Sequence, residues 1–290
     1  MSDTSRPIVG IDSFSYHRYF GEVGDWEDPS PLRWTTGDFL DRAAELGVET
    51  VSLQTVYLGD LSVAAMRDLR VQLDDRGLSA VLAWGHRSGL ESGTSPKRFE
   101  EASACLDSAE ALGSKLMRIV CGDQFAWSLP VTERRERLTP LLRELAADAR
   151  ERGLDLAVEN HADWAMGDLV RLIEAVDAPN LGICLDLGNA VRVGDDAVAA
   201  SRLAAPRVYM VQVKDVAIQR ESIGKPWAWW PSVPLGHGDV DVAGALEAVA
   251  PGPRMPGWYV EMANMHTDYP NEDAAVAESL RFLRDLAGTE

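Results

Sequence analysis

The chain has 290 residues, of which 46% are hydrophobic and 26% charged, a composition that excludes a disordered or fibrous protein. Its 46 acidic and 28 basic side chains leave a formal net charge of −18 with no basic stripe, so we expect no nucleic-acid partner. No apolar run is long enough to cross a membrane, and the first residues lack a signal-peptide pattern. The three cysteines are far apart and form no disulfide framework. We therefore expect a soluble, cytoplasmic protein that does not bind membranes.

Eight short apolar runs, rich in β-branched residues, alternate with helical patterns along the chain. The predicted strands are Ile8–Ile11, Val48–Leu53, Ser79–Trp84, Leu116–Cys121, Leu154–Glu159, Leu181–Leu185, Val208–Val213 and Trp258–Glu261. The predicted helices between and after them are Thr36–Gly47, Ser62–Gly77, Pro96–Gly113, Val131–Gly153, Met166–Asp177, Asp195–Ala205, Val242–Val249 and Asn271–Leu286. This order predicts an α/β fold, a closed (β/α)8 TIM barrel in a single domain over residues 1–290. The alternative is an open doubly wound sheet, which the lack of a glycine fingerprint after the first strand disfavours.

Histidines and tryptophans are concentrated in the predicted loops that follow strands, where barrels of this kind carry out their chemistry. All five histidines fall there: His17, His86, His161, His237 and His266. Seven tryptophans do the same: Trp26, Trp34, Trp127, Trp164, Trp227, Trp229 and Trp230. Such rings form walls for sugar rings or flat aromatic groups, or else pack loops onto the barrel rim. The Trp-rich loop 216–234 is expected to cover the substrate or a partner subunit.

Polar side chains end four consecutive predicted strands, from the fifth to the eighth. In chain order they are Glu159, Asp186, Gln212 and Glu261. A lone carboxylate at a strand end is usually a cap or half of an ion pair. Three carboxylates at matching depth repel one another and favour a divalent cation. Because all four side chains offer oxygen, the sequence predicts a site for Mn²⁺ or Mg²⁺ rather than Zn²⁺.

Over its whole length the chain resembles the sugar phosphate isomerase/epimerase family, the xylose-isomerase-like TIM barrels. The most specific motifs are Val158-Glu159-Asn160-His161, Leu185-Asp186-Leu187-Gly188-Asn189, Gln212-Val213-Lys214-Asp215 and Glu261. The resemblance implies metal ligands Glu, Asp, His and Glu, which fall on Glu159, Asp186, position 212 and Glu261. Two departures are visible: Gln212 replaces the common His ligand, and Asn189 stands where a substrate-binding His is often found. Gln212 still offers an oxygen ligand.

Within that family the chain is most similar to the α subunits of bacterial C-glycoside deglycosidases. The motifs that carry this likeness are the Glu-Asn-His triplet at 159–161, the Trp-rich loop after the seventh strand, and the opening Gly10-Ile11-Asp12-Ser13-Phe14-Ser15-Tyr16-His17-Arg18-Tyr19-Phe20-Gly21. The likeness implies a metal-dependent lyase that cleaves the carbon–carbon glycosidic bond of a 3-oxo-glucoside. It also implies a His that acts as base and a small β-rich partner subunit.

Three further side chains are candidates for roles in catalysis. His161, two residues after Glu159, suits a general base near neutral pH, although it could instead orient the ligands. Lys214 lies two residues after Gln212, so its side chain should point in the same direction. It is expected either to neutralise an oxyanion or to pair with a carboxylate. His237 is expected to bind the substrate, but the glycines on both sides equally indicate a loop turn.

Several functions remain open at this stage. The sugar or glycoside substrate is expected to lose the proton beside its ketone, and this step leads to elimination, isomerisation or epimerisation. In an epimerase Glu159 and Glu261 would move the proton on opposite faces. A DNA repair endonuclease is disfavoured by the missing basic groove, and a phosphorylated substrate by the missing anion loop. A binding protein without catalysis is the remaining alternative.

Overall fold

In the computed structural model, residues 6–24, 27–85, 87–222, 225, 230–249 and 254–288 are described. Eight parallel strands close into a barrel, which confirms the predicted single-domain TIM barrel. The barrel strands are Val9–Asp12 (β1), Thr50–Gln54 (β2), Ser79–Ala83 (β3), Leu116–Val120 (β4), Asp155–Glu159 (β5), Leu181–Asp186 (β6), Val208–Val213 (β7) and Trp258–Val260 (β10). Around the barrel they follow the order β1-β10-β7-β6-β5-β4-β3-β2. Consecutive strands from β1 to β7 are adjacent, and β10 lies between β7 and β1 and closes the barrel.

Helices cover the outside of the barrel. Those of the described residues are Thr36–Glu45 (α1), Val63–Asp74 (α2), Pro96–Leu112 (α3), Val131–Glu151 (α4), Met166–Val176 (α5), Leu187–Arg192 (α6), Ala197–Ala204 (α7), Val242–Glu247 (α8) and Glu272–Ala287 (α9). Local sequence sets their ends: α1 begins with a capping box between Thr35 and Asp38, and Gly113 ends α3 in the left-handed conformation. None of the helices in the described ranges is long and apolar enough to span a membrane.

Two elements differ from the predicted order. The short helix α6 begins directly at the end of β6, where the sequence pattern predicts only a loop. A small antiparallel hairpin, Asp215–Val216 (β8) with Ser232–Val233 (β9), brackets the Trp-rich loop. Both elements are too short to show a periodicity, and both stand at the carboxyl ends of β6 and β7.

The barrel interior is layered, because alternate residues of each strand point inward. Its lower layer is a separate apolar cluster with one inward residue from each of six strands: Val81, Leu116, Ala157, Cys184, Met210 and Tyr259. The next inward residues toward the carboxyl ends are polar or charged on several strands: Arg118, Glu159, Asp186, Gln212 and Glu261. The fold therefore gathers its polar side chains at one end of the barrel.

Gly10 leaves the space that Tyr259 fills inside the barrel. A β-carbon at Gly10 would lie 2.5 Å from the carbonyl oxygen of Thr50 and 2.8 Å from the Tyr259 ring. The Tyr259 hydroxyl and the Thr50 hydroxyl are hydrogen-bonded at 3.0 Å. The small residue on β1 thus permits a large one on β10.

We predict that Gly10→Ala lowers the free energy of unfolding by about 1–3 kcal/mol, because the methyl group overpacks the barrel floor. Gly37→Ala is the control, since its added β-carbon meets only Thr35 Oγ1 at 3.5 Å. Urea unfolding of both variants measures the difference. Equal stability of the two variants would contradict the close packing described for Gly10.

Candidate active site at the barrel mouth

A small cavity of about 30 Å³ opens at the carboxyl ends of the strands. Its lining is mostly polar, and Phe14 is the one hydrocarbon side chain among the described residues: Phe14, Gln54, Arg118, Glu159, His161, Asn189, Lys214 and Glu261. Four of these were predicted as catalytic residues or metal ligands: Glu159, His161, Lys214 and Glu261. The position matches the end at which TIM barrels carry their active sites.

Three buried carboxylates converge beside this cavity. Lys214 Nζ donates to Asp186 Oδ2 at 2.7 Å and to Glu261 Oε1 at 3.0 Å. Asn189 Nδ2 donates to Asp186 Oδ2 at 2.9 Å and to Glu159 Oε1 at 3.2 Å. All five side chains are at most 5% exposed. Lys214 and Asn189 therefore hold together three of the four side chains that the sequence predicts as ligands.

Lys214 is the ammonium partner of two carboxylates. Burial lowers the pKa of Lys214, but the carboxylates of Asp186 and Glu261 outweigh burial and raise it well above its ordinary value. The side chain is therefore charged at neutral pH. Of the two roles expected from the sequence, pairing with a carboxylate is the one that the structure shows directly.

Arg118 is a second buried cation, which the sequence analysis did not single out. Its Nε lies 3.2 Å from Glu159 Oε2, and its Nη1 donates to the backbone oxygen of Trp84 at 3.2 Å. Burial raises the pKa of Glu159, and the positive charge of Arg118 opposes this rise. Together they give Glu159 a pKa of about 7. Alternate residues of a strand point to the same face, so Arg118 points into the barrel like Leu116 on the same strand, β4. This alternation is the sequence signal that identifies Arg118.

Asp186 is positioned by the start of α6. Its Oδ1 accepts a hydrogen bond from the Asn189 backbone N–H at 2.9 Å and so caps the helix. The Asn160 side chain bonds both backbone groups of Asp186, donating to its oxygen at 2.8 Å and accepting from its N–H at 2.7 Å. The Glu-Asn-His motif on β5 thereby fixes the end of β6.

Gln212 is fully buried but is turned away from the carboxylate cluster. Its Nε2 lies 3.4 Å from Asp12 Oδ2, and its Oε1 accepts from Cys184 Sγ at 3.2 Å. Gln212 is not part of the described lining of the cavity. Its predicted role as a ligand stays a prediction.

His161 is held by a backbone carbonyl. Its Nδ1 lies 3.1 Å from the oxygen of Gly122, and because a carbonyl only accepts, Nδ1 carries the proton and Nε2 has the basic lone pair. Gly122 has no room for a side chain, since a β-carbon would lie 2.8 Å from Ser92 Oγ and 3.2 Å from Asp163 Oδ2. Ala162, the next residue, adopts a left-handed φ of 57°. The loop thus presents His161 in a fixed orientation and tautomer.

Three other predicted histidines, His17, His237 and His266, are absent from the described lining of the inner cavity. His237 bonds the Tyr269 hydroxyl at 3.0 Å and pairs with Glu278 at 3.2 Å on an exposed surface, so its substrate-binding role stays a prediction. His17 is buried with both Glu27 oxygens 2.9 Å from its Nε2, and the Glu27 contact outweighs burial to raise the His17 pKa. His266 lies outside the described cavity lining, and His86 lies outside the described residues.

The described tryptophans do not form the expected aromatic wall of the cavity. Trp34 packs against Tyr16 and Tyr19 at centroid distances of 4.7 and 4.8 Å, and Trp127 donates to the Ala162 backbone oxygen at 2.8 Å. Trp164 lies under the Arg134 guanidinium at 4.3 Å. Trp230 is buried and lines a smaller cavity beside Lys214, whereas Trp26, Trp227 and Trp229 lie outside the described residues. The alternative, in which these rings pack loops onto the rim, describes Trp34, Trp127 and Trp164.

A wider outer cleft of about 370 Å³ lies beside the inner cavity, and Phe14 and His161 line both. Its lining also includes Glu22, Glu27, Asp123 and Phe125, whose exposure is 64%. The two spaces together suit a ligand with a compact polar part and a larger, flatter part.

Comparison with known proteins decides the family. The family model described as "Xylose isomerase-like TIM barrel" matches residues 40–286. The chain belongs to this family. Among curated relatives, the chain is 25% identical over 261 residues to "3-oxo-isoapionate decarboxylase" of Pectobacterium atrosepticum, covering 88% of each chain.

Two solved structures show the same fold at low identity. The D-psicose 3-epimerase of Clostridium cellulolyticum H10 is 16% identical with a TM-score of 0.73, covering 97% of this chain and 99% of that one. The IolI protein, solved with a bound zinc atom, is also 16% identical with a TM-score of 0.73, covering 97% and 98%. These two likenesses show that the barrel fold is shared.

The charge of the cluster fits a divalent cation. Two cations, Arg118 and Lys214, contact three buried carboxylates, so 2 − 3 leaves −1 when all are ionised; the carboxylates are Glu159, Asp186 and Glu261. Glu261 Oε2 is buried and has no hydrogen-bond partner among the described residues, which leaves it open as an oxygen ligand. In the same residues, however, no group of three or more His, Cys, Asp or Glu side chains is gathered in a metal-binding arrangement. The donor types suit such an ion, but the Lys214 ammonium already bridges Asp186 and Glu261.

We predict that Lys214→Met destabilises the fold by about 3–5 kcal/mol near pH 7, because it leaves Asp186 and Glu261 buried without their cation. Burial already raises the pKa of Glu261, and the variant loses the ammonium that opposes this rise. Glu261 is then protonated at higher pH in the folded than in the unfolded chain, so the deficit relative to wild type shrinks as the pH falls toward 4. Chemical unfolding in the presence of a chelator, repeated over this pH range, tests the prediction. Lys97→Met, which removes an exposed ammonium 3.8 Å from Glu101, is the control and should change little. A deficit that grows on acidification would contradict this account.

Proposed function

We propose that this chain is a carbon–carbon lyase that acts beside the ketone of a 3-oxo sugar derivative, with His161 as the base. The observation that carries the proposal is the fixed tautomer of His161, whose Nε2 has the lone pair in a residue that lines the inner cavity. The curated relative supports it, because its printed name also describes loss of carbon from a 3-oxo sugar acid. The finer proposal, from the sequence resemblance, is cleavage of a 3-oxo-C-glycoside.

The reaction proceeds in two steps. His161 takes the proton from the sugar carbon next to the ketone, and the electron pair moves into an enolate. The enolate then re-forms the ketone while a carbon–carbon double bond forms toward the neighbouring ring carbon, whose bond to the leaving carbon breaks. The leaving group departs with that electron pair and receives the proton from His161. The Lys214 ammonium supplies positive charge at the cavity wall while the enolate exists.

A divalent cation, Mn²⁺ or Mg²⁺, is part of this proposal. Glu159, Asp186, Gln212 and Glu261 would hold it, supported by the surplus negative charge and by the open Glu261 Oε2. When bound, such an ion polarises a carbonyl and stabilises the negative charge that develops on its oxygen. Asn189 and Arg118 keep the carboxylates in place.

The shape of the site supports a substrate with two parts, a sugar and a leaving group. The small inner cavity, rich in hydrogen-bonding groups, takes polar groups at one edge of the sugar, and the outer cleft takes the rest of the substrate beside Phe14 and Phe125. Flat groups pack well on exposed rings of this kind. The small β-rich partner subunit implied by the resemblance is also proposed, and co-purification with a co-expressed neighbouring gene product tests it.

Epimerisation is the second candidate, and one observation favours it. Glu159 and Glu261 line the same cavity, and burial raises the pKa of both carboxyls, that of Glu159 to about 7. Carboxyls of that kind exchange protons readily near neutral pH. In this alternative the two glutamates move the proton and His161 only positions the substrate.

We predict that His161→Ala keeps the fold and the bound metal but lowers kcat by roughly 10²–10⁴, the usual effect of removing a general base. The measurement is turnover of an aromatic 3-oxo-C-glucoside, together with solvent-deuterium exchange at the carbon beside the ketone. His266→Ala, outside the cavity lining, serves as the control. Exchange at the wild-type rate in His161→Ala would exclude His161 as the base and favour the paired glutamates.

We predict that Glu159→Ala removes tightly bound divalent metal and abolishes turnover, because the site loses an anionic ligand. Elemental analysis of the purified protein after dialysis against Mn²⁺ measures the metal content. Glu100→Ala, which changes an exposed carboxylate, should retain the wild-type content. Full metal occupancy in the Glu159→Ala protein would show that Glu159 is not a ligand.

A further inference from the structure

Gln54 at the end of β2 has an unsatisfied acceptor in the inner cavity. Its side chain lines the cavity and is only 3% exposed. Its Nε2 donates to Asp12 Oδ1 at 3.2 Å, whereas its Oε1 is buried and has no hydrogen-bond partner among the described residues. A buried acceptor without a donor costs free energy, so a native protein rarely retains one without a use.

Asp12 determines which way this amide faces. Its carboxylate, fully buried at the end of β1, accepts from Ser52 Oγ at 2.5 Å and from the Phe14 backbone N–H at 2.8 Å. It also receives Nε2 of Gln54 and, at 3.4 Å, Nε2 of Gln212. Because an ionised carboxylate only accepts, each glutamine must direct its NH2 group to Asp12 and its oxygen elsewhere.

We propose that Gln54 is a specificity-determining residue that accepts a hydrogen bond from a hydroxyl group of the bound sugar, and that Asp12 is the residue that positions it. This inference rests on the proposed function for the class of ligand, a polyhydroxylated ketone. A hydroxyl fits the site because Oε1 needs a donor, which a ketone or ether oxygen cannot supply. A neutral donor also adds no charge to a cavity that already has surplus carboxylates.

The same contact gives Asp12 an effect on Gln212. With its NH2 group directed to Asp12, Gln212 presents only its oxygen to the rest of its surroundings, where it accepts from Cys184. Asp12 therefore sets the direction of two amide oxygens, those of Gln54 on β2 and Gln212 on β7.

The first test measures binding by calorimetry, with 3-oxo-D-glucose and its 2-, 4- and 6-deoxy analogues as probes. We expect Gln54→Leu to weaken binding of the parent sugar about tenfold. One deoxy analogue, which lacks the contacted hydroxyl, should bind wild type and Gln54→Leu equally. Gln72→Leu, an exposed glutamine on α2, is the control. Equal binding of the whole series to wild type and Gln54→Leu overturns the inference even if turnover is found.

The second test concerns Asp12, and its first measurement needs no ligand. In wild type, the Gln54 side-chain NH2 signals, assigned by their loss in Gln54→Leu, should be protected from solvent exchange. Asp12→Ala should remove that protection, and Asp12→Asn should raise KM more than it lowers kcat. Unprotected Gln54 amide protons in wild type would overturn the positioning role. Discrimination among the sugars without turnover would refute the proposed lyase and leave this inference standing, and no binding of any probe to wild type would overturn both.

Discussion

The structure depends on how it compensates buried negative charge at the barrel mouth. Ionised carboxylates are costly to remove from water unless cations or hydrogen-bond donors surround them. Arg118 and Lys214 supply two such cations from inward positions of β4 and from the end of β7. Burial, opposed by the Arg118 charge, raises the pKa of Glu159 to about 7. The same charge balance therefore affects both the stability of the barrel mouth and the titration of Glu159.

The polar residues of the barrel mouth and the residues that stabilise the barrel lie in different layers. Small and large side chains interlock in the lower layer, as Gly10 and Tyr259 do, and hold the strands at fixed register. Loops at the opposite end carry His161 and its supporting carbonyl at Gly122. The loop backbone can adopt unusual conformations, such as the left-handed φ of Ala162, because the rigid layer beneath it supplies most of the stability.

The fold could be predicted from the sequence because each strand is a continuous apolar run and each helix has readable ends. The positions of Glu159, Asp186 and Glu261 followed from the same pattern, since they stand at strand ends. Orientation could not be predicted, because it depends on contacts between distant strands: Gln212 turns toward Asp12, some 200 residues away. The role of the tryptophans could not be predicted for a related reason, since a loop position does not reveal whether a ring faces a cavity or packs on the barrel rim. Arg118 and Gln54 stand at inward-pointing positions of β4 and β2, and the alternation of side chains along these strands is enough to identify them.

The buried cysteines give this barrel an internal probe of its own opening. Burial raises the pKa of the thiols of Cys121 and Cys184 well above the ordinary value, and that of Cys105 to about 11. Alkylating reagents attack the thiolate, so these groups stay inert while the barrel is closed. Cys184 lies against Gln212 in the centre of the barrel, and its labelling rate therefore reports how often the strands part far enough to admit water.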